Sequence, residues 1–307
     1  MKISFGVLLA ICVSGGSWSI RALNPGTLSP LPSTAPRSAL LPEVSQAGLS
    51  FNKDANGKDF DAQQRLSHGA TIPCAVSLDE GLWAWFPFDS DANDKSGNGH
   101  HMRLSHGATI VIAEGCSSQK LYFDGQNSFA VIDDGRSFPK GDFALSFSIC
   151  ATDNYQNRIF NRADYSNALG ASLTLGFEPS FDGKLCWGVT RENDVCGRYS
   201  DLYNTSALLS GEAVSKASWH EVVVQAAGGK QQLYVDGKLS GEIKMDRADF
   251  SVCADAPFYF GKWWNQDPRC FKGLLDNIRI YQRELSPEEI MLLKEVNESE
   301  QAWISSR

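Results

Sequence analysis

From residue 80 onward the chain reads as short apolar runs separated by Gly, Asn and Asp. The runs include Leu82–Phe88, Thr109–Ala113, Lys120–Phe123, Phe129–Ile132, Phe143–Ile149, Arg158–Asn161 and Ser172–Phe177. They continue with Lys184–Val189, His220–Ala226, Gln231–Val235, Lys238–Met245, Phe258–Gly261 and Gly273–Tyr281. In most of them apolar and polar positions alternate, the period of a half-buried strand. The alternation is cleanest in FALSFSI, where Phe143, Leu145, Phe147 and Ile149 share one face. Asp236-Gly237, between two such runs, has the composition of a two-residue hairpin turn. Many short strands without intervening helices predict an all-β fold, an antiparallel two-sheet sandwich or barrel. One helix is expected. Ser286-Pro-Glu-Glu289 forms a capping box with Pro at the first helical position, and Ile290, Leu293 and Val296 follow at helical spacing. This helix should pack against the end of the sandwich.

The region before residue 80 has a different texture. Lys2 followed by the apolar run Ile3–Val13 has the form of an export signal, too short to span a bilayer, with a cleavage site expected near Trp18–Ile20. Residues 1–19 are therefore assigned as a signal peptide, and the chain is expected to be secreted. Residues 20–50 are rich in Pro, Ser and Leu without periodicity and read as a disordered leader. Residues 51–79 hold a partial duplicate of low expected order. FNKDANGKDFDAQQRLSHGATI (51–72) echoes FDSDANDKSGNGHHMRLSHGATI (88–110), and the octet RLSHGATI is identical in both. The first copy lies outside the main domain on this reading, with competition for one strand position as an alternative. The sandwich is assigned to 80–297 and a C-terminal tail to 298–307.

Charge and cysteines narrow the function. The net charge of −8 argues against nucleic acid or an anionic membrane as partner. No later stretch is long and apolar enough to suggest a membrane span. Of the eight cysteines, Cys12 leaves with the signal, and the remaining seven suggest disulfides plus one odd thiol. Spacing favours Cys186–Cys196 and Cys253–Cys270, Cys74–Cys116 is a further candidate, and Cys150 is left as a core thiol. Two sequons, at Asn204 and Asn297, are candidate glycosylation sites.

Five segments, in order, resemble the laminin-G-like jelly-roll domains of the concanavalin A-like superfamily. They are LWAWFPFDSDANDKSGNGHHM (82–102), LYFDGQNSFAVI (121–132), FALSFSICA (143–151), WHEVVVQAAGGKQQLYVDGKLSGEI (219–243) and FKGLLDNIRIYQRELSPEEI (271–290). The resemblance covers about residues 80–295. It implies a two-sheet jelly roll with a binding or adhesion role, in which the opening and closing strands pair.

Two groups of residues carry candidate chemistry. Asp89, Asp91, Asn93 and Asp94 alternate on a Gly-rich loop, a supply of oxygen ligands suited to calcium. Strand pairing in the family adds Asp276 to Asp89, Asp91 and Asp94 as a candidate ligand. Trp263, Trp264, Asn265, Gln266 and Asp267 offer sugar-stacking rings beside hydrogen-bonding groups. By contrast, the alternating carboxylate strand of sandwich-fold glycosidases is missing from the sequence. His220 alternates with core positions and reads as structural. These observations lead to a secreted, non-catalytic module that binds carbohydrate or glycoprotein. The alternatives are an extracellular carbohydrate-active enzyme and a structural matrix or cell-wall component.

Overall fold

The computed structural model describes residues 77–302, apart from 114, 115, 117, 156, 165–169, 179, 180, 190–196, 199–206, 246–255 and 264–268. In chain order the strands are β1 (Leu82–Phe86), β2 (Arg103–Ser105), β3 (Thr109–Ile112), β4 (Gln119–Asp124), β5 (Phe129–Ile132) and β6 (Phe143–Ala151). Then come β7 (Asn157–Asp164), β8 (Gly170–Phe177), β9 (Leu185–Val189), β10 (Gly197–Arg198) and β11 (Leu208–Leu209). The last are β12 (Trp219–Ala227), β13 (Lys230–Val235), β14 (Lys238–Lys244), β15 (Phe258–Phe260) and β16 (Lys272–Tyr281). An α-helix, α1 (Pro287–Ala302), follows.

The strands form two antiparallel sheets. The first has the order β14-β13-β12-β6-β16-β4-β3, with β1 also paired to β16. The second has the order β11-β9-β8-β7-β15-β5-β2, with β10 paired to β8. Period-two alternation decides what lies between them. Phe143, Leu145, Phe147 and Ile149 of β6 all join the core, as their spacing predicts. From the second sheet Phe160, Leu173, Leu175, Trp187, Phe258 and Phe260 meet them. Phe160 stands edge-on to Phe258 at 5.5 Å and to Trp187 at 6.0 Å, the geometry that aromatic quadrupoles favour.

The hairpin turn is as expected. Val235 pairs with Lys238, and Asp236 and Gly237 both have positive φ, 51° and 75°. The second copy of the octet, Arg103–Ile110, supplies β2 and the start of β3, which sit at the outermost positions of the two sheet orders. His106 and Gly107, with φ of 52° and 94°, carry the chain from one sheet to the other. The first copy, Arg65–Ile72, lies outside the described residues.

The helix begins as its capping box requires: Glu289 N–H donates to Ser286 Oγ (3.2 Å) and Ser286 N–H donates to Glu289 Oε2 (2.7 Å). Its position differs from the expectation. Ile290 and Leu293 pack with Ala144, Val223 and Tyr234, residues on the outward side of β6, β12 and β13. The helix therefore covers the outer face of the first sheet rather than the end of the sandwich.

Candidate functional site

At one end of the sandwich three connections meet: 152–155 after β6, 181–184 before β9, and 210–218 before β12. They are tied together through their backbones. Asn154 Nδ2 donates to Val214 O (2.8 Å), Val214 N–H to Gly183 O (3.0 Å) and Ala217 N–H to Ala151 O (2.8 Å). Gly183 has a φ of 78°, and a Cβ there would come within 2.5 Å of Asn154 Nδ2, so only glycine allows this approach. Asp153 closes a short turn by accepting from Tyr155 N–H (3.0 Å), and this turn presents the Tyr155 ring to solvent at 61% exposure. Asp182 (φ 48°), Ala217 (55°) and Asp236 (51°) also belong to this end. Non-glycine residues seldom take such values, so the tertiary contacts hold the backbone there.

The same end carries a chain of hydrogen bonds between side chains. His220, the second residue of β12, has Ser215 Oγ 2.7 Å from Nε2 and Asp236 Oδ2 2.9 Å from Nδ1. Asp236 is held in turn, because its Oδ1 accepts Glu221 N–H (3.0 Å). Ser215 and Lys216 are exposed.

One residue further along β12, polar groups are sealed instead. Glu221, Ser148 and Asp276 occupy matched register positions on β12, β6 and β16. Glu221 accepts from Ser148 Oγ and from Asn297 Nδ2, the latter at 2.8 Å. Arg279 donates to Asn297 Oδ1 (3.1 Å) and lies 4.8 Å from the Trp85 ring centre. Lys120 and Asp276 form an ion pair, and both are fully buried. Burial pushes the Glu221 carboxyl up to about 7, against the donors from Ser148 and Asn297.

The family model described as the concanavalin A-like lectin/glucanases superfamily, of laminin G type, matches residues 123–291. The chain belongs to this superfamily. No curated protein matches the sequence. Among solved structures, this laminin-G-like sandwich is similar to domain 4 of AbnA, a GH43 extracellular arabinanase from Geobacillus stearothermophilus, solved in complex with arabinotriose. That match has 21% identity and a TM-score of 0.52, covering 69% of this chain and 98% of that one. It is also similar to the binding domain of Paraclostridial Mosquitocidal Protein 1, with 18% identity and a TM-score of 0.56, covering 72% and 53%. A third likeness is to the ligand binding domain of botulinum neurotoxin serotype D in complex with N-acetylneuraminic acid, with 16% identity and a TM-score of 0.51, covering 71% and 51%. The chain spans about half the length of these two binding domains. At such identities the likeness is one of fold.

Seen in this laminin-G-like frame, the residues singled out from sequence separate. β1 and β16 do pair, yet Asp276 does not join the acidic loop, since its partner is Lys120. Asp94 accepts N–H groups of Trp85 (2.9 Å), Ser96 (2.8 Å) and His100 (3.0 Å), together with Ser96 Oγ (2.9 Å). Burial raises its pKa, and these donors more than offset that, leaving it below the usual carboxylate value. Asp91 pairs with Lys95 (2.9 Å) and Asp89 is exposed. Among the described residues no three acidic, His or Cys side chains gather into a metal-holding group. Among the described residues Asp89, Asp91, Asp94 and Asp276 are therefore not gathered into one group, and Asp94 is held by the amides of its own loop.

Trp263 is fully buried, 5.2 Å from Arg158 and 5.9 Å from Arg269, so its faces are not open to a sugar. Trp264, Asn265, Gln266 and Asp267 lie outside the described residues, as do Cys74, Cys196, Cys253 and Asn204. Cys116 has no disulfide partner among the described residues, and its proposed partner Cys74 lies outside them. Cys150 is half-buried on the outer face rather than in the core, and burial, with Cys116 nearby, pushes its thiol up. Cys186 and Cys270 are buried. Asn297 is fully buried with both amide atoms engaged, so the folded chain offers no accessible acceptor there.

Sequence reasoning missed Tyr155, Ser215 and Asp236. A signal for the first was available: an aromatic residue amid Asp-Asn turn formers, outside any alternating run. Ser215 and Asp236 are brought to His220 by tertiary structure, and their types and spacing give no hint of it.

Proposed function

We propose that the chain is an exported module that binds glycans at the loop-bearing end of its sandwich, with Tyr155 as the stacking platform. The observation that carries this reading is the Tyr155 ring, 61% exposed on a loop pinned at Asp153 and Asn154. A preorganised aromatic face is what a pyranose or furanose ring stacks on, and it costs little ordering entropy on binding. Asp153, Asp182 and Lys216, exposed on the adjoining turns, supply hydrogen-bonding groups for sugar hydroxyls. Two proteins of similar fold support it: one was solved with arabinotriose and another with N-acetylneuraminic acid. The apolar run Ile3–Val13 behind Lys2 supports export, and no helix among the described residues is long and apolar enough to cross a membrane.

The test is a glycan array that includes arabino-oligosaccharides and sialosides, read with the parent and with Tyr155→Ala. The variant should lose about 1 kcal/mol of binding, roughly fivefold in affinity, at an unchanged melting temperature. Undiminished binding by the variant would remove the rim from consideration.

A further inference from the structure

We propose that Ser215 is an acylatable nucleophile, activated by His220 and oriented through Asp236, and that this end of the sandwich cleaves carboxylic esters. The proposal rests on connectivity. Nucleophilic catalysis by serine requires a base on its hydroxyl and a third group that fixes the base. Here Ser215 Oγ lies 2.7 Å from His220 Nε2, and Asp236 Oδ2 lies 2.9 Å from His220 Nδ1. With the Nδ1 proton donated to Asp236, Nε2 is left to accept the serine proton, the arrangement used by hydrolytic triads on unrelated folds.

Three further features belong with it. Asp236 is locked by Glu221 N–H and by the hairpin turn, so the orienting group cannot swing away. The imidazole is largely covered, with its side chain 16% exposed, whereas Ser215 is open to solvent and so to substrate. Among the described residues the backbone N–H groups of Ser215 and Lys216 have no acceptor, while Val214 and Ala217 on either side donate to Gly183 and Ala151. Two free amides at and after the nucleophile are the donors that a developing oxyanion needs.

The chemistry balances without any other reagent than water. Ser215 Oγ attacks the ester carbonyl carbon while its proton passes to His220 Nε2. The tetrahedral oxyanion collapses, the C–O bond to the alcohol breaks, and His220 returns the proton to the departing alkoxide. Water, deprotonated by His220, then attacks the acyl-Ser215 ester. Its collapse frees the carboxylic acid and returns the proton to Ser215. Asp236 is 41% exposed, so its support is weaker than that of a buried carboxylate, and slow turnover is expected.

The experiment treats the full chain with a fluorophosphonate probe, maps the adduct by mass spectrometry, and follows p-nitrophenyl acetate hydrolysis. The parent should be labelled at Ser215, and heat-denatured chain should not. Ser215→Ala should abolish both signals, and His220→Gln should slow labelling by about 10² to 10⁴-fold. Asp236→Asn, tolerated at positive φ, should change the pH profile of labelling as well as its rate, which a merely structural role would leave alone. Melting curves accompany each variant, and Ser215→Ala is expected to melt with the parent. Absence of label at Ser215 in the parent, or equal labelling of the His220→Gln variant, overturns the proposal. Glycan-array binding by Ser215→Ala is read separately, so this activity and the glycan-binding reading stand or fall independently.

Discussion

His220 and Glu221 are neighbours on β12, yet they meet opposite surroundings. His220 opens onto the loop-bearing end, hydrogen-bonded to an exposed serine and a partly exposed aspartate. Glu221 points to the other side of the sheet, under the helix, where Ser148 and Asn297 saturate it. Both regions hold carboxylates, a hydroxyl and a cation or imidazole. What separates them is access. The sealed set uses its polar groups to fix a helix on a sheet, and the open set leaves a nucleophile and an aromatic ring for something outside. Residue type alone therefore says little about role in this fold; the side of the strand and what covers it decide.

The contrast can be broken from the sealed side first. Lys120→Ala removes the cation paired with the buried Asp276 carboxylate, and urea unfolding should show a loss of about 3–5 kcal/mol. Replacing both partners by apolar residues, Lys120→Met with Asp276→Leu, should recover most of it. Next is the pH dependence set by Glu221. Its carboxyl is raised to about 7 in the fold, so the native state binds the extra proton. The stabilisation is complete below about pH 4.5, the ordinary glutamate value, and is lost as pH rises through 7, an effect of order 3 kcal/mol. Thermal melts from pH 4 to 8 should fall accordingly, and Glu221→Gln should flatten the curve. Asn297→Ala removes the bridge between Glu221 and Arg279 and should cost about 1–3 kcal/mol, visible as earlier loss of amide protection in the helix. At the open end, Tyr155→Ala should shift stability by less than about 0.5 kcal/mol, because the ring packs on little. Were it to destabilise like the sealed-side changes, the division between the two regions would dissolve.

The fold was legible where local pattern and tertiary packing agree. β6 and β12 alternate because one face is core, and Asp236-Gly237 turns because both residues accept positive φ. The capping box starts the helix where the sequence says. Its resting place was hidden because Asn297 reads as a polar, solvent-side residue, whereas it lies one turn past Leu293 on the same face and is buried by its partners. The candidate site was harder. The aromatic cluster around Trp263 drew attention by composition, but Arg158 and Arg269 flank that ring inside the structure. His220 reads as structural from its alternation with core positions, and what the pattern does not show is that it meets Ser215 and Asp236 at the loop-bearing end. Asp236 served its turn so well that a second duty could not be read from sequence.

The parity of β12 has a consequence for how this strand tolerates change. Substitutions between Trp219 and Val222 alter one side chain at a time. Inserting one residue between Glu221 and Val222 would shift both to the opposite parity, turning the imidazole to the outer face of the sheet and the carboxylate to the inner one. The strand that carries both residues is thus held to a fixed count.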